Sequence, residues 1–374
     1  MTGPGDGGAP EGSSGVIEAL VRRHGPVTIA DYMMLALWHP QAGYYARGAS
    51  IGAGGDFITA PEYASVFGDL LAAWIIDTWQ RAGAADELSL VELGPGRSTL
   101  MADVLTRLQQ LAPALAAALP VVLVEGSAPL RRHQQLTLAP LAPGGLRWLD
   151  RVEHLPDALT GPVMVLANEF LDALPIRQFI RHGEGWHERL VAWDDVGGVL
   201  SFAMAPRPSP LARWLQVPPG PIPQGTIAEL CPAAEGVLLV VADLLRARGG
   251  TALLIDYGPD APTVGDTLQA LRAHQSQPPL QAPGAADLTA HVDFCALTRQ
   301  AQDLRLTVHG PVPQGTFLKR LGFSARLSGA SPTAQAAAQP LVDPVQMGTL
   351  FKVLGLTAAA DGFAPPALLA GFAP

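Results

Sequence analysis

The stretch VELGPGRSTLMADVL, residues 91–105, decides how this chain is read. An apolar run ends at Glu92 and Leu93, a turn passes through Gly94, Pro95 and Gly96, and a helix opens near Ser98 and Thr99. Glycines in such a turn let the backbone approach a ligand closely, and the free amides of the first helical turn face it. Alone, the pattern fits a nucleotide-binding turn and also an ordinary strand-to-helix connection.

Outward from this turn the same alternation recurs. Short apolar runs at residues 88–93, 121–124, 163–167 and 251–255 read as strands buried on both faces, with helical stretches such as 99–111 and 234–247 between them. Strands alternating with helices predict an α/β, Rossmann-like chain with a mostly parallel, doubly wound sheet. Residues 86–310 are taken as this core. Inside it an insertion, 176–235, carries WHERLVAW, a Gly197-Gly198 turn and VLSFAMA, which read as a β-hairpin. Residues 311–374 are expected to complete the sheet, and 324–342, rich in Ala, Gln, Ser and Pro, fit either coil or a short helix.

Ahead of the core, residues 16–85 show helical periodicity and predict an N-terminal helical lobe. Between two of its helices lies HPQAGYYARGASIGAGGDFITAPE, a loop glycine-rich and long enough to hold a ligand. The first 15 residues read as a disordered tail with neither a basic start nor an apolar stretch, so no export signal is expected.

Composition narrows the function. At 374 residues the chain exceeds the size at which one core usually stays undivided, which predicts a main domain with a lobe. A formal net charge of -9 offers no field to hold a phosphate backbone, so nucleic acid is not the expected partner. Cys231 and Cys295 show no paired spacing, which signals neither zinc nor a disulfide framework and fits a reducing cytoplasm. The apolar stretch 70–76 falls well short of the roughly 20 residues that a membrane span needs.

The chemistry sits at the strand ends. VVLVEGS ends in Glu125, and an acidic residue there accepts the ribose hydroxyls of a bound nucleoside. The two features do not separate NAD from S-adenosylmethionine. Glu92 leans towards the latter, because its carboxylate suits a cationic sulfonium and ammonium and repels a pyrophosphate. Pro95 and Arg97 also depart from the dinucleotide fingerprint. A third strand, in VMVLANEFLDALPIRQF, stops at Asn168, Glu169 and Asp172. Paired carboxylates at that place would fix the plane of a guanidinium and take up its proton; equally, Glu169 could cap a helix and Asp172 solvate its first turn. Asp256, in LLIDYG, ends a strand on the same face. His291 and His187 could be pocket residues, although a lone histidine is more often a surface or satisfied core group.

Taken together, GDFITAPEYASVFGDLLAAW, VELGPGRSTLMADVL, LVEGSAPLR, ANEFLDALPIRQF, WHERLV, LLIDYG, DTLQALRAH, ADLTAHVDF, QGTFLKRLG and MGTLFKVL strongly resemble the MidA-like family, from about residue 23 to 354. The resemblance implies a class I methyltransferase using S-adenosylmethionine and no metal. It further implies a protein acceptor, an arginine of the 49 kDa-type subunit of respiratory NADH dehydrogenase, modified to symmetric dimethylarginine. Members are mitochondrial in eukaryotes, a bacterial one would be cytoplasmic, and a homodimer is compatible with the family. By motif, Gly94 and Gly96 belong to the cofactor turn, Glu125 to the ribose contact and the GDFITAPE loop to the closed face of the pocket; the expected site then has Glu92, Pro95, Asn168, Asp56 and Thr59 also on the cofactor side, Glu169 and Asp172 at the catalytic position, and Glu62, Glu229 and His291 on the substrate side. The family commonly has GPGRG where this chain ends the turn in Ser98. A small-molecule O- or N-methyltransferase and a non-catalytic assembly chaperone share the same cofactor turn and stay open as alternatives.

Overall fold

The computed structural model describes residues 12–47, 59–85, 87–159, 161–360 and 362–373. Its strands, in chain order, are β1 (Val27–Thr28), β2 (Ser89–Leu93), β3 (Val121–Val124), β4 (Leu146–Leu149), β5 (Val163–Asn168), β6 (Arg177–His182), β7 (Gly185–Asp194), β8 (Val199–Pro208), β9 (Ile227–Leu230), β10 (Gly250–Tyr257), β11 (Gln269–Arg272), β12 (Gln275–Gln277), β13 (Asp287–Thr289), β14 (Thr307–Pro313) and β15 (Phe351–Ala358).

Seven strands form the main sheet in the order β14-β15-β10-β5-β2-β3-β4. Those from β10 to β4 run parallel; β15 is antiparallel to both β10 and β14. The chain winds outward from β2 to β4 and then returns to β5 on the other side of β2. Crossover connections therefore leave β2 and β5 in opposite directions and open a crevice beyond their carboxyl ends. Register brings the tips level, since Leu93 pairs with Val124 and with Ala167, and Ile255 pairs with Asn168.

Alternation of two along each strand divides the core. Leu90, Leu123, Met164 and Leu253 face one layer, with helices Val66–Arg81 and Thr99–Leu111. Val91, Val122, Val165 and Leu254 face the other, with helices Pro232–Arg248 and Phe294–Asp303. Each such side chain contributes about 1.5–3 kcal/mol on full burial. Helix Thr99–Leu111 buries Leu100, Met101, Val104, Leu105 and Leu108, one face at helical spacing, and stops before Ala112, which precedes Pro113 and is steered out of the helical region. Strand β4 buries only Leu149, so its sequence carries no doubly buried run.

The expected hairpin is β7 and β8, closed where Asp194 Oδ1 accepts the Val196 N–H and Gly198 takes φ +66. It is part of a five-stranded sheet to which β6, β9 and β1 belong. Helices Gly12–His24 and Ile29–Trp38 lie on that sheet: Ile17, Ile29, Tyr32 and Met33 share a core with Ile176, Val191 and Leu200. The small sheet β12-β11-β13 was not anticipated from the sequence. Residues 324–342 hold the end of one short helix, Phe323–Leu327, and a second, Pro332–Ala338. Of the expected N-terminal tail, residues 1–11 lie outside the described residues, and the first helix already begins at Gly12. Among the described residues no helix is long and apolar enough to cross a membrane.

Candidate active site

A cavity of about 720 Å³ opens at the tips of β2, β3 and β5, within the usual ~300–1,000 Å³ of small-molecule sites. Glu92, Gly94, Pro95, Gly96, Glu125, Asn168 and Glu169 all line it, as do Thr59 and Glu62. The level tips of β2, β3 and β5 bring these sequence-distant residues to one rim, which Thr59 and Glu62 reach from the segment before helix Val66–Arg81.

The turn after β2 is built to come close. Gly94, Gly96 and Ser98 take φ of +65, +50 and +65, a left-handed region that only glycine enters cheaply. At Gly94 there is a second reason, because a Cβ would stand 2.7 Å from Phe170 Cδ2. Ser98 is fully buried and its hydroxyl has no partner among the described residues.

Of the carboxyls that line the cavity, Glu125 and Glu92 differ in how far their oxygens are already satisfied. Glu125 Oε1 accepts the Ser127 N–H (2.8 Å) and Oε2 accepts Gln134 Nε2 (3.0 Å). Gln134 is itself tied to Gly96 O (2.8 Å) and to Trp148 Nε1 (2.8 Å), so the carboxylate is oriented with acceptor capacity left over. Burial raises its pKa, opposed by the Ser127 and Gln134 hydrogen bonds and the Arg131 charge. Glu92, 3% exposed, has an Oε2 with no partner among the described residues. Burial, and secondarily the Glu125 charge, push it up to about 8. A buried oxygen without a partner is costly unless a ligand donates to it. Asn168 Oδ1 is in the same condition. Glu92 and Asn168 thus fit a ligand carrying cationic and N–H groups, and Glu125 fits vicinal hydroxyls. S-adenosylmethionine has both sets.

Glu169 is held in a left-handed conformation, φ +49, at the end of β5. Its Oε1 accepts the Ala60 N–H (2.8 Å) and Asn168 Nδ2 (3.2 Å). Burial lifts it to about 8 against the Ala60 hydrogen bond, with the Asp172 charge adding to the rise. Glu62 accepts the Thr99 hydroxyl (2.7 Å), which joins the 59–63 segment to the cofactor turn.

Other expected site residues lie elsewhere. Asp172 is buried behind Glu169, hydrogen-bonded to the Tyr257 side chain and raised by burial, and it does not face the cavity. Glu229 is occupied by Gln178 Nε2 (2.7 Å) and by the Thr267 N–H (3.0 Å) and hydroxyl (2.5 Å), which makes it a buttress of the insertion. His291 stands edge-on to Tyr257 at 5.5 Å, its pKa lowered by burial, away from the cavity. His187 bonds Ala205 O across the hairpin. Asp56 lies outside the described residues. Asp256 sits fully buried behind the rim.

The sequence reading missed Trp38, Tyr45, Phe170 and Asp150, which also line the cavity. Asp150 follows β4 as Glu125 follows β3, so the strand-end argument would have found it had β4 been recognised. Phe170 stood inside a quoted motif, but nothing local says which way it faces. Trp38 and Tyr45, with rings 5.1 Å apart, come from the N-terminal segment by long-range packing.

The strand order and this crevice define the class, a Rossmann-like methyltransferase dependent on S-adenosylmethionine. Comparison with known proteins agrees. A family model described as "Putative S-adenosyl-L-methionine-dependent methyltransferase" matches residues 70–312, and the chain belongs to that family. It is 37% identical to the mitochondrial protein arginine methyltransferase NDUFAF7 of Mus musculus over 328 residues, covering 82% of this chain and 73% of the relative. Identity to the protein of the same name from Homo sapiens is also 37%, over 325 residues, covering 82% and 72%. Among solved structures, a protein from Burkholderia thailandensis bound to S-adenosyl-homocysteine superposes with TM-score 0.81 at 28% identity, over 98% of this chain and 97% of that one.

Proposed function

We propose that this methyltransferase acts on an arginine side chain of a protein, with Glu169 as the group that receives the guanidinium. The observation that carries the reading is the Glu169 carboxyl on the cavity wall, anchored through one oxygen by Ala60 and Asn168. Relatives named protein arginine methyltransferase support it. When bound, S-adenosylmethionine supplies a methyl group on a cationic sulfur.

The residues of this chain do the rest. Glu92 pairs with the positive charge of the cofactor and Glu125 accepts from its ribose. Asp150, one strand further out, would accept from the exocyclic amine of the base, and the apolar side chains of Phe170 and Val152, which also line the cavity, would exclude water from it. Glu169 ionises as a guanidinium enters, because a cation at short range favours the charged form of the carboxyl. Pairing would fix the guanidinium plane and orient one nitrogen for attack on the methyl group. Once methylated, the guanidinium nitrogen would carry one proton too many, which would pass to the Glu169 carboxylate and from there to solvent. Asp172 reinforces the negative character of the site from behind.

For the acceptor, the family resemblance points to the 49 kDa-type subunit of respiratory NADH dehydrogenase, and two free thiols, Cys231 and Cys295, suit a reducing compartment. Incubation of the enzyme with methyl-labelled S-adenosylmethionine and that subunit, followed by acid hydrolysis, should give label in symmetric dimethylarginine. Label in lysine, or only in small molecules, contradicts the reading.

A further inference from the structure

We propose that Asp256, at the tip of β10, is a positioning residue for methyl transfer: through backbone N–H groups it holds the 168–172 turn so that the Glu169 carboxyl faces the cavity. The proposal rests on the role given to Glu169 above.

Asp256 has no exposed surface and does not face the cavity, so it touches nothing that binds there. Its Oδ2 accepts the N–H of Leu171 (3.0 Å) and of Asp172 (3.2 Å), and its Oδ1 accepts the N–H of Tyr257 (2.9 Å). One residue earlier on the same strand, Ile255 O accepts the Glu169 N–H at 2.9 Å. The tip of β10 therefore grips the turn on both sides of the Glu169 side chain.

That grip answers a local problem. Glu169 has φ +49, a conformation unfavourable for a residue with a Cβ, which persists only where the surroundings over-determine it. A backbone carbonyl at position 256 could not reach three amides, whereas a side-chain carboxyl has lone pairs on two oxygens for them. Asparagine has the same shape, but its amide nitrogen donates and cannot accept. In Asp256→Asn one oxygen gives way to a donor, so either the Tyr257 N–H or the Leu171 and Asp172 pair loses its acceptor, and the three-point hold on the turn is broken.

Hydrogen exchange read residue by residue on the wild-type enzyme with S-adenosylhomocysteine should show the amides of Leu171 and Asp172 protected like those of β10. Exchange at the rate of an unbonded loop overturns the proposal without any variant having to fold. In Asp256→Asn we expect protection lost at Tyr257 or at Leu171 and Asp172, and kcat on the 49 kDa-type subunit lowered on the order of 100-fold, the cost of a small misplacement of a reacting group. Affinity for S-adenosylhomocysteine should stay within about twofold, since independent sites couple little. Because Asp256 acts through Glu169, adding Asp256→Asn to Glu169→Gln should lower kcat no further than the worse single change, and additive losses overturn the proposal. A Glu169→Gln enzyme as fast as wild type defeats the acceptor reading itself. Loss in Glu169→Gln with none in Asp256→Asn defeats the assignment of Asp256 alone.

Discussion

Carboxyls held out of water govern this site at the level of single residues. Burial lifts Glu92 and Glu169 to about 8 each, so at neutral pH both are mainly protonated until a cation arrives. Binding of S-adenosylmethionine should then reverse the state of Glu92 and expel a proton. Affinity should accordingly rise with pH up to about 8 and level off above it; calorimetry in two buffers of different ionisation heat measures the proton count, and a count of zero at pH 7 would contradict the pairing. Replacing Glu92 by Gln should weaken binding roughly 10- to 100-fold, the value of a charge-assisted hydrogen bond. The same change should help the ligand-free fold. A carboxyl whose folded pKa lies above its unfolded value of about 4.3 costs stability as pH rises from the lower value through the higher. The Gln variant should thus melt above wild type at pH 8, with the gap closing towards pH 5.

Among elements, the connection from β2 into helix Thr99–Leu111 shows how a turn is shaped by what passes over it. Gly94 needs both its positive φ and its missing side chain, since Phe170 occupies the space a Cβ would take. Ser98 has the same positive φ with none of glycine's freedom, and a buried hydroxyl with no partner among the described residues. Opposite outcomes are therefore expected from two substitutions four residues apart. Gly94→Val should abolish S-adenosylhomocysteine binding, which dialysis with labelled ligand would reveal. Ser98→Gly should raise the unfolding free energy by on the order of 1 kcal/mol, the left-handed strain less the greater entropy of glycine, as chemical denaturation would measure. Unchanged binding in the first, or lower stability in the second, would mean that the turn is shaped by something other than these contacts.

Across the whole molecule, the N-terminal segment and the main sheet share one cavity. Trp38, at the end of helix Ile29–Trp38, lies against the tip of β3 so closely that a Cβ on Gly126 would stand 2.9 Å from it. The Ser127 hydroxyl donates to Tyr45 O at 2.9 Å, and the Tyr45 hydroxyl donates to Asp287 at 2.8 Å. Segments about 80 and 240 residues apart in sequence are thereby joined at the wall of the site. Trp38→Ala should reduce S-adenosylhomocysteine affinity about tenfold or more, as expected when a large apolar side chain no longer covers a ligand. Calorimetry on a variant that melts as a single transition makes the comparison, and full affinity would detach the N-terminal helices from cofactor binding.

What the sequence determined by itself was everything encoded over a few neighbouring residues: doubly buried strands, the helix 99–111 between its turn and Pro113, and the acidic residues at strand tips. Glu92, Glu125 and Glu169 were legible because a strand that stops abruptly in a parallel sheet must point its end at the crevice. Only the tertiary structure decided which way each neighbour turned. Asp172 lies three residues from Glu169 yet bonds back towards β10 and Tyr257, and Glu229 and His291 are claimed by the insertion and its surroundings. Trp38, Tyr45 and Asp150 reached the cavity through contacts or register that no local spacing records. The division follows from the forces involved: periodic burial and turn geometry act within a few residues, whereas the direction of a side chain at a strand tip is set by whatever distant segment is packed beside it.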